Sequence, residues 1–387
     1  MSIAGSQRQI LLALLARLQP HWHRDRNLPA RLDPLLKGDR RFGSRDRRLY
    51  RELIYTALRL LPEVEPLLAD NPDEAVRRLA WAAAETPATR NFRAAFATGE
   101  TYAADPVRLL PGWFRAHCPA AFEPLQAAAL ATRAPLWLRL QTDDASAVIA
   151  EFAALGWTVE SAPLLPSALR LGADVDVTKT AAYARGAIEV QDLGSQFLLQ
   201  TVGIEPGGMW LDACAGAGGK TLQLARLLGP SGRVDATDVR SAALDELVVR
   251  VRRAGLANIR RVDAPAATYD GVLIDAPCSG SGTWRRAPHL KWSTTPDTIE
   301  RARTVQLALL HQHAAHVRPG GRLIYTTCSL SHRENDDVVS EFLVSAPEFT
   351  AAPFARDFGG TPTATGLTIL PATHDSDGFF VASLQRH

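Results

Sequence analysis

Residues 271–286 read GVLIDAPCSGSGTWRR. The apolar run Gly271–Ile274 has the length and composition of a short buried strand. It ends in a carboxylate at Asp275, breaks at Pro277, and carries a thiol at Cys278 into a loop of Ser and Gly. Open α/β sheets keep their ligands beyond the carboxyl ends of parallel strands, so chemistry is expected here. A second apolar run, 321–327, leads in the same way to Cys328. Were the two strands neighbours, their thiols would face each other across a sheet spacing of roughly 5 Å. Neither cysteine belongs to a C-x-x-C or His–Cys pattern, so no metal is expected. The pair reads as machinery for covalent catalysis.

Outward from this stretch, strands and helices alternate. The expected strands are Met209–Asp212, Arg233–Asp238, Ile259–Val262, Gly271–Asp275 and Arg322–Thr327. Helices fit Lys220–Leu228, Ala242–Ala254, Pro296–Val317 and Glu334–Ser345. That order predicts an α/β protein with a doubly wound, mainly parallel sheet. Residues 378–384 read as a last strand, antiparallel at the sheet edge. Upstream, strands at Leu136–Leu140, Thr158–Ser161 and Ala168–Leu171 surround a helix at Ala145–Leu155 and make a small α/β unit. Ala187–Val190 then leads through Gln191 and Asp192 into a helix beginning near Ser195. Residues 1–131 read as helical. Ser44 is the expected N-cap of Arg45–Leu61, where Leu49, Leu53, Ile54, Ala57, Leu58 and Leu61 form one apolar face, and Pro62 is the expected stop. The expected division is 1–131, 132–190 and 191–387.

Of the 387 residues 46% are hydrophobic and 22% charged, an ordinary globular composition with room for more than one domain. The net charge is only +2, yet residues 21–60 carry eleven Lys and Arg against five Asp and Glu. The cluster Arg40, Arg41, Arg45, Arg47, Arg48 and Arg51 suits a polyanionic partner; the competing reading is a solvated helix face. Four widely separated cysteines do not suggest a disulfide framework. The apolar stretch Ile10–Leu18 is too short for a membrane span and is interrupted by Arg17, so it reads as an amphipathic helix. A cytoplasmic protein with no membrane partner is expected.

Residues 211–221, LDACAGAGGKT, join the first strand of the large sheet to a helix. Gly216, Gly218 and Gly219 allow a tight turn and close approach of a ligand. A phosphate-binding P-loop would need glycine at position 214, which is Cys, and a dinucleotide fingerprint would need glycine at position 221, which is Thr. Asp212, Asp238, Asp263 and Asp275 stand at four successive strand ends. Asp238 is the one placed to accept hydrogen bonds from ribose hydroxyls, so a nucleoside cofactor is expected.

Together these stretches resemble the RsmB/Sun family of S-adenosylmethionine-dependent RNA cytosine-5 methyltransferases. The matching pieces are DACAGAGGKT from Asp212, DAPCSGSGTWRR from Asp275, YTTCS from Tyr325, Glu334-Asn335, Gln191-Asp192 with Ser195, Pro288 with Lys291-Trp292, and DGFF from Asp377. The match covers about residues 135–387. It implies a class I methyltransferase-type domain over 191–387, preceded by an RRM-like unit and an RNA-binding helical domain. It implies S-adenosyl-L-methionine held by Cys214, Ala215, Gly216, Ala217, Gly218, Gly219, Lys220, Asp238, Asp263 and Asp275. It assigns the nucleophile to Cys328, a later step to Cys278, and a contact with the cytosine edge near N3 to Asp275. Ribosomal RNA is the preferred substrate, with transfer RNA open, and a monomer is expected.

Four positions depart from the family pattern. Ala217 replaces a usual Pro, Ala243 an Arg, Arg250 an Asn and His289 an Asp. Cys214 is expected to pack beside the cofactor and Cys118 to lie in the core. Arg285, Arg286 and Lys291 with Trp284 and Trp292 read either as an RNA contact, bases stacking on the rings, or as a loop with buried tryptophan. Two other readings stand beside the main one: a methyltransferase acting on another acceptor, and a non-catalytic RNA-binding or assembly factor on the same fold. A serine hydrolase is excluded, because Ser279 and Ser281 do not sit in G-x-S-x-G.

Overall fold

The computed structural model describes residues 2–172, 175–265 and 268–387. The chain forms two compact units, one of residues up to 133 with 283–296, the other of 134–282 with 297–387.

The second unit contains thirteen strands among its described residues. Four of them, β1 (Leu136–Leu140), β2 (Val159–Ala162), β3 (Leu165–Leu171) and β4 (Ile188–Val190), make a small antiparallel sheet in the order β2-β3-β1-β4. The large sheet begins with β5 (Met209–Asp212), β6 (Arg233–Ala236), β7 (Ile259–Arg261), β8 (Tyr269–Asp275) and β9 (Val317–Thr327). It continues with β10 (Phe349–Ala351), β11 (Thr361–Pro362), β12 (Leu367–Ile369) and β13 (Phe379–Arg386). Its order is β11-β12-β13-β9-β8-β5-β6-β7, with β10 also paired to β13. Strands β7, β6, β5, β8 and β9 run parallel, while β13 pairs antiparallel with β9.

The winding reverses at β5, where the chain runs outward to β6 and β7 on one side and returns to β8 and β9 on the other. A crevice at the carboxyl ends of β5 and β8 follows from that reversal. Asp212 and Asp275 end these two strands. Val272, Leu273 and Ile274 are fully buried because both sheet faces are covered. Val272, Ile274, Leu323 and Tyr325 pack on the face holding Val338 and Phe342. Leu273, Ile324 and Val234 pack on the opposite face against Leu198, Leu224 and Leu228.

Two expectations for this unit change. The last strand is not at the edge, since β12 and β11 lie outside it. Six successive buried residues from Phe379 onward suit an interior strand. The helix expected over Pro296–Val317 ends at Ala314, and Val317 already belongs to β9.

In the first unit, helices Ile3–Leu18, Leu28–Lys37, Ser44–Arg59 and Pro72–Ala82 bury Leu11, Leu15, Leu32, Leu53, Ile54 and Val76 in one core. Ser44 is the first helical residue rather than the cap. Gly43 occupies the cap position, and its N–H donates to the Asp46 carboxylate at 3.0 Å. Pro62 does not end the helical course: a new helix starts at Leu61 with Pro62 in its first turn, where proline costs no hydrogen bond. The segment 283–296, which was not part of the expected helical region, carries the short helix Pro288–Ser293 within this unit. Among the described residues no helix is long and apolar enough to cross a membrane.

Candidate active site

Strands β8 and β9 are neighbours, with Asp275 in register with Thr326. Past their ends, the sulfur atoms of Cys278 and Cys328 lie 3.3 Å apart, both as free thiols. This is closer than sheet spacing alone would bring them, and a buried carboxylate accounts for the convergence. Glu334, fully buried, accepts hydrogen bonds from the Ser279 N–H at 2.7 Å and the Ser329 hydroxyl at 2.6 Å, so it grips the residue after each thiol. Gln306 donates to the Pro277 carbonyl at 2.9 Å and to Glu334 at 3.2 Å. Asn335 accepts from Thr327 Oγ1 at 2.7 Å and donates to the Ser329 carbonyl at 2.9 Å. The Gly282 N–H donates to the Cys328 carbonyl at 2.9 Å. A Cβ at Gly282 would lie 2.0 Å from the Gly378 carbonyl oxygen, so only glycine permits this approach. The hydrogen bond with Cys328, then burial, holds the Cys278 thiol protonated well above the usual range.

Asp275 pairs with Lys220 Nζ at 2.8 Å and accepts from Thr326 Oγ1 at 3.0 Å. Lys220, from the first turn of helix Gly219–Leu228, thus joins the glycine loop to the strand end that leads to the thiols. Asp212 is 1% exposed, and burial pushes its carboxyl up to about 7. It accepts from the Thr221 hydroxyl at 2.7 Å and so holds the same helix start.

In the loop, Gly216 and Gly218 have φ of 53° and 92°, a region that side chains other than glycine rarely occupy. Asp238 Oδ2 accepts the Gly216 N–H at 2.8 Å. Burial raises the Asp238 pKa, but hydrogen bonds from Arg240 and Gly216 outweigh it and hold the group below its ordinary value. Beside it Val239 is 99% exposed, an apolar surface next to a carboxylate, and a Cβ at Gly219 would meet nothing within 4 Å. Open space at a helix start, flanked by an ionised carboxylate and an apolar side chain, fits a nucleoside with a charged substituent.

The Arg250 departure has a structural account. Arg250 donates to the Ala217 carbonyl at 2.7 Å and to Glu189 of β4 at 2.8 Å, while Arg139 of β1 donates to the Gly219 carbonyl at 2.8 Å. Two loop carbonyls are therefore held by arginines, one from helix Ser241–Ala254 that also pairs with β4 and one from β1. Sequence reading missed both contacts, as it missed the role of Glu334, because nothing local signals where a long side chain ends.

Asp263 is exposed, two residues past the end of β7. Cys214 is half-buried and packs at the edge of the core, where burial pushes its thiol up; Cys118 is buried. Trp284 is fully buried in the first unit, its ring 4.6 Å from that of Phe114. Trp292 donates to the Leu58 carbonyl at 2.6 Å. Lys291 is fully buried with Nζ 3.2 Å from the Arg59 carbonyl, and burial lowers its pKa to about 7. Arg285 is also buried. The reading of this segment as a loop with buried tryptophan is the one that fits: Trp284, Arg285 and Lys291 are interior groups, Trp292 is half-buried and Arg286 is exposed.

Comparison with known proteins agrees with this geometry. Residues 199–385 match the family model of the 16S rRNA methyltransferase RsmB/F. A probable ribosomal RNA small subunit methyltransferase B from Synechocystis sp. is 36% identical over 253 residues, 62% of this chain and 57% of that protein. Ribosomal RNA small subunit methyltransferase B from Xanthomonas campestris is 35% identical over 266 residues, 66% of this chain and 60% of that protein. The match thus spans under two thirds of the length of these relatives. The crystal structure of PH0851 shares the fold over 100% of both chains, with a TM-score of 0.76 at 23% identity. That of NSun6 from Pyrococcus horikoshii with SFG shares it over 73% of this chain and 98% of that one, with a TM-score of 0.64 at 19% identity. The class I methyltransferase-type sheet expected from the sequence is the fold observed. Through residues 199–385, the chain is similar to the RsmB/F family of 16S rRNA methyltransferases.

Proposed function

We propose that this protein transfers a methyl group from S-adenosyl-L-methionine to carbon 5 of a cytosine in small-subunit ribosomal RNA, in the cytoplasm. The observation that carries this reading is the pair of free thiols 3.3 Å apart, next to the Lys220–Asp275 pair at the reversal point of the sheet. The glycine loop 214–220 and Asp238 are the groups that would hold the cofactor, which when bound supplies an electrophilic sulfonium methyl.

Carbon 5 of cytosine is a poor nucleophile. Addition of the Cys328 sulfur to carbon 6 makes carbon 5 enamine-like, and covalent catalysis divides one difficult step into easier ones. Asp275 and Lys220 present an acceptor and a cation together, suited to the polar edge of the ring as charge develops on it. After methylation, solvent water takes the proton from carbon 5, its electron pair restores the double bond between carbons 5 and 6, and the Cys328 sulfur leaves as a thiolate. Cys278, held protonated beside that sulfur, donates a hydrogen bond to the departing thiolate. The target base must be unpaired or flipped to reach these thiols.

The test is methyl transfer from labelled S-adenosylmethionine to 16S rRNA, with bisulfite sequencing of the product; transfer RNA transcripts form a second arm. A single protected cytosine in 16S rRNA is the expected result. Label on RNA without a bisulfite-resistant cytosine would overturn the carbon 5 assignment.

The basic segment supports RNA binding in part. Arg41 and Arg51 pair with Asp39 and Asp33, each at 2.7 Å. Arg40, Arg45 and Arg48 are exposed and have no acidic partner among the described residues. Their replacement by Gln is expected to weaken RNA binding and reduce the slope of log K against log salt by about 0.7–0.9 for each phosphate that is no longer neutralised. Filter binding across a salt series measures it, and an unchanged slope would leave these arginines as a solvated face.

A further inference from the structure

Glu189 of β4 is 2% exposed, and three arginines gather around it. Arg139 of β1 stands directly opposite it across the small sheet. Arg250 and Arg253, both from helix Ser241–Ala254, donate to its two oxygens at 2.8 and 2.6 Å. Arg253 lies over the Tyr183 ring at 3.9 Å. The other two arginines reach the glycine loop. Arg250 divides its fork, with one nitrogen on Glu189 and the other on the Ala217 carbonyl at 2.7 Å. Arg139, itself buried, sets a nitrogen on the Gly219 carbonyl at 2.8 Å. Helix and sheet are seated closely, since a Cβ at Gly186, just before β4, would lie 2.2 Å from the Arg253 carbonyl oxygen.

Docking the helix on the sheet needs only the Glu189–Arg253 pair, so the divided fork of Arg250 calls for another role. The Ala217 and Gly219 carbonyls flank Gly218, whose φ is 92°. Three glycines in four residues, 216 to 219, leave such a loop many conformations. A trans peptide is planar, so fixing a carbonyl also fixes the N–H that follows it. The hold on Ala217 sets the Gly218 N–H, which donates to the Ala215 carbonyl at 2.9 Å and closes the turn. The hold on Gly219 sets the Lys220 N–H at the start of helix Gly219–Leu228, where N–H groups have no partner within the helix. A loop already held in one shape loses less entropy when a ligand settles on it, and so binds that ligand more tightly.

We infer that Arg250, anchored on Glu189 of the small sheet, is a positioning residue that shapes the glycine loop in advance and thereby sets the affinity for S-adenosylmethionine. Through this arginine the small sheet takes part in cofactor binding. The inference rests on the reading of loop 214–220 as the cofactor site.

Arg250→Met and Arg253→Met would be compared in the full chain by two measurements. One is calorimetric titration with S-adenosylmethionine; the other is hydrogen exchange of the loop, followed by mass spectrometry without cofactor. Each variant removes one arginine from Glu189 and leaves the other, so the carboxylate keeps a partner in both. Arg250→Met is expected to bind the cofactor about tenfold more weakly, the value of one hydrogen bond from a charged group, and its loop to exchange faster. Arg253→Met is expected to stay within about twofold of the parent in affinity, with loop exchange unchanged, although its melting temperature also falls. Arg250→Lys keeps a charge for Glu189 but lacks the fork, and is expected to lose affinity by about threefold or more, should the first variant fold poorly. Equal losses of affinity in the two Met variants would reduce Arg250 to a structural contact and overturn the inference. So would parental affinity with parental loop exchange in Arg250→Met. Faster loop exchange in Arg250→Met, with no S-adenosylmethionine bound by the unmodified chain, would sink the cofactor reading and leave the hold on the loop standing.

Discussion

Cys278→Ala is expected to accumulate a protein–RNA adduct that survives a denaturing gel, and Cys328→Ala to form none. The carbon–sulfur bond to carbon 6 needs only the Cys328 sulfur, so attack survives loss of Cys278. Release is different. The sulfur that must depart as a thiolate has the Cys278 thiol 3.3 Å away, and that thiol is held protonated. Without it the leaving group loses a charge-assisted hydrogen bond, and the methylated adduct persists. Turnover in either variant should fall by a factor of roughly 10⁴ or more, as for other groups that act as a unit. The double variant should give no adduct. An adduct in Cys328→Ala with none in Cys278→Ala would exchange the two roles. Intact methylation in both would remove covalent catalysis and favour another acceptor. Binding of cofactor and RNA by Cys328→Ala should persist, which separates a chemical defect from misfolding.

Gly218→Val is expected to abolish measurable S-adenosylmethionine binding while the chain still folds. At φ of 92° a branched residue is strained, and a Cβ there would sit 2.3 Å from Leu247 Cδ1 and 2.8 Å from Leu222 Cδ1. Backbone strain of about 1–2 kcal/mol and overpacking of about 1–3 kcal/mol fall on the loop that faces the cofactor. Together these correspond to roughly a hundredfold loss of affinity or more. Asp238→Ala should lose about ten- to a hundredfold, since it removes a charged acceptor and also frees the Gly216 N–H. Calorimetry decides both, with circular dichroism as the folding control. Gly218→Ala combined with Leu247→Ala should recover part of the affinity by removing the nearer clash. Wild-type affinity in Gly218→Val would mean that this loop does not hold the cofactor.

The large sheet and its reacting end were legible in the amino-acid order because the signals are local. A parallel strand covered on both faces must be a continuous apolar run, and it must end where polar side chains return. Met209–Asp212 and 271–275 show this pattern, and it placed Asp212, Asp275, Cys278 and Cys328 correctly at strand ends. The glycines at 216 and 218 were legible for a similar reason, since positive φ restricts the residue type on the spot.

What only the tertiary structure decided concerns the ends of long side chains and the order of strands. Glu334 looked like a helix start, yet it is the buried carboxylate that draws both thiol loops together. Lys220 looked like part of the cofactor loop, yet its charge meets Asp275. Arg250, a departure in sequence, holds the Ala217 carbonyl from helix Ser241–Ala254 while paired with Glu189 of the small sheet. Arg285, Lys291 and Trp284 read as a surface because cations and indoles beside a glycine loop usually are one. They are interior because residues 283–296 leave the large sheet and are buried with the helices of the first unit. Composition and spacing describe what a segment is able to cover; which distant segment covers it is set by the packing of the whole chain.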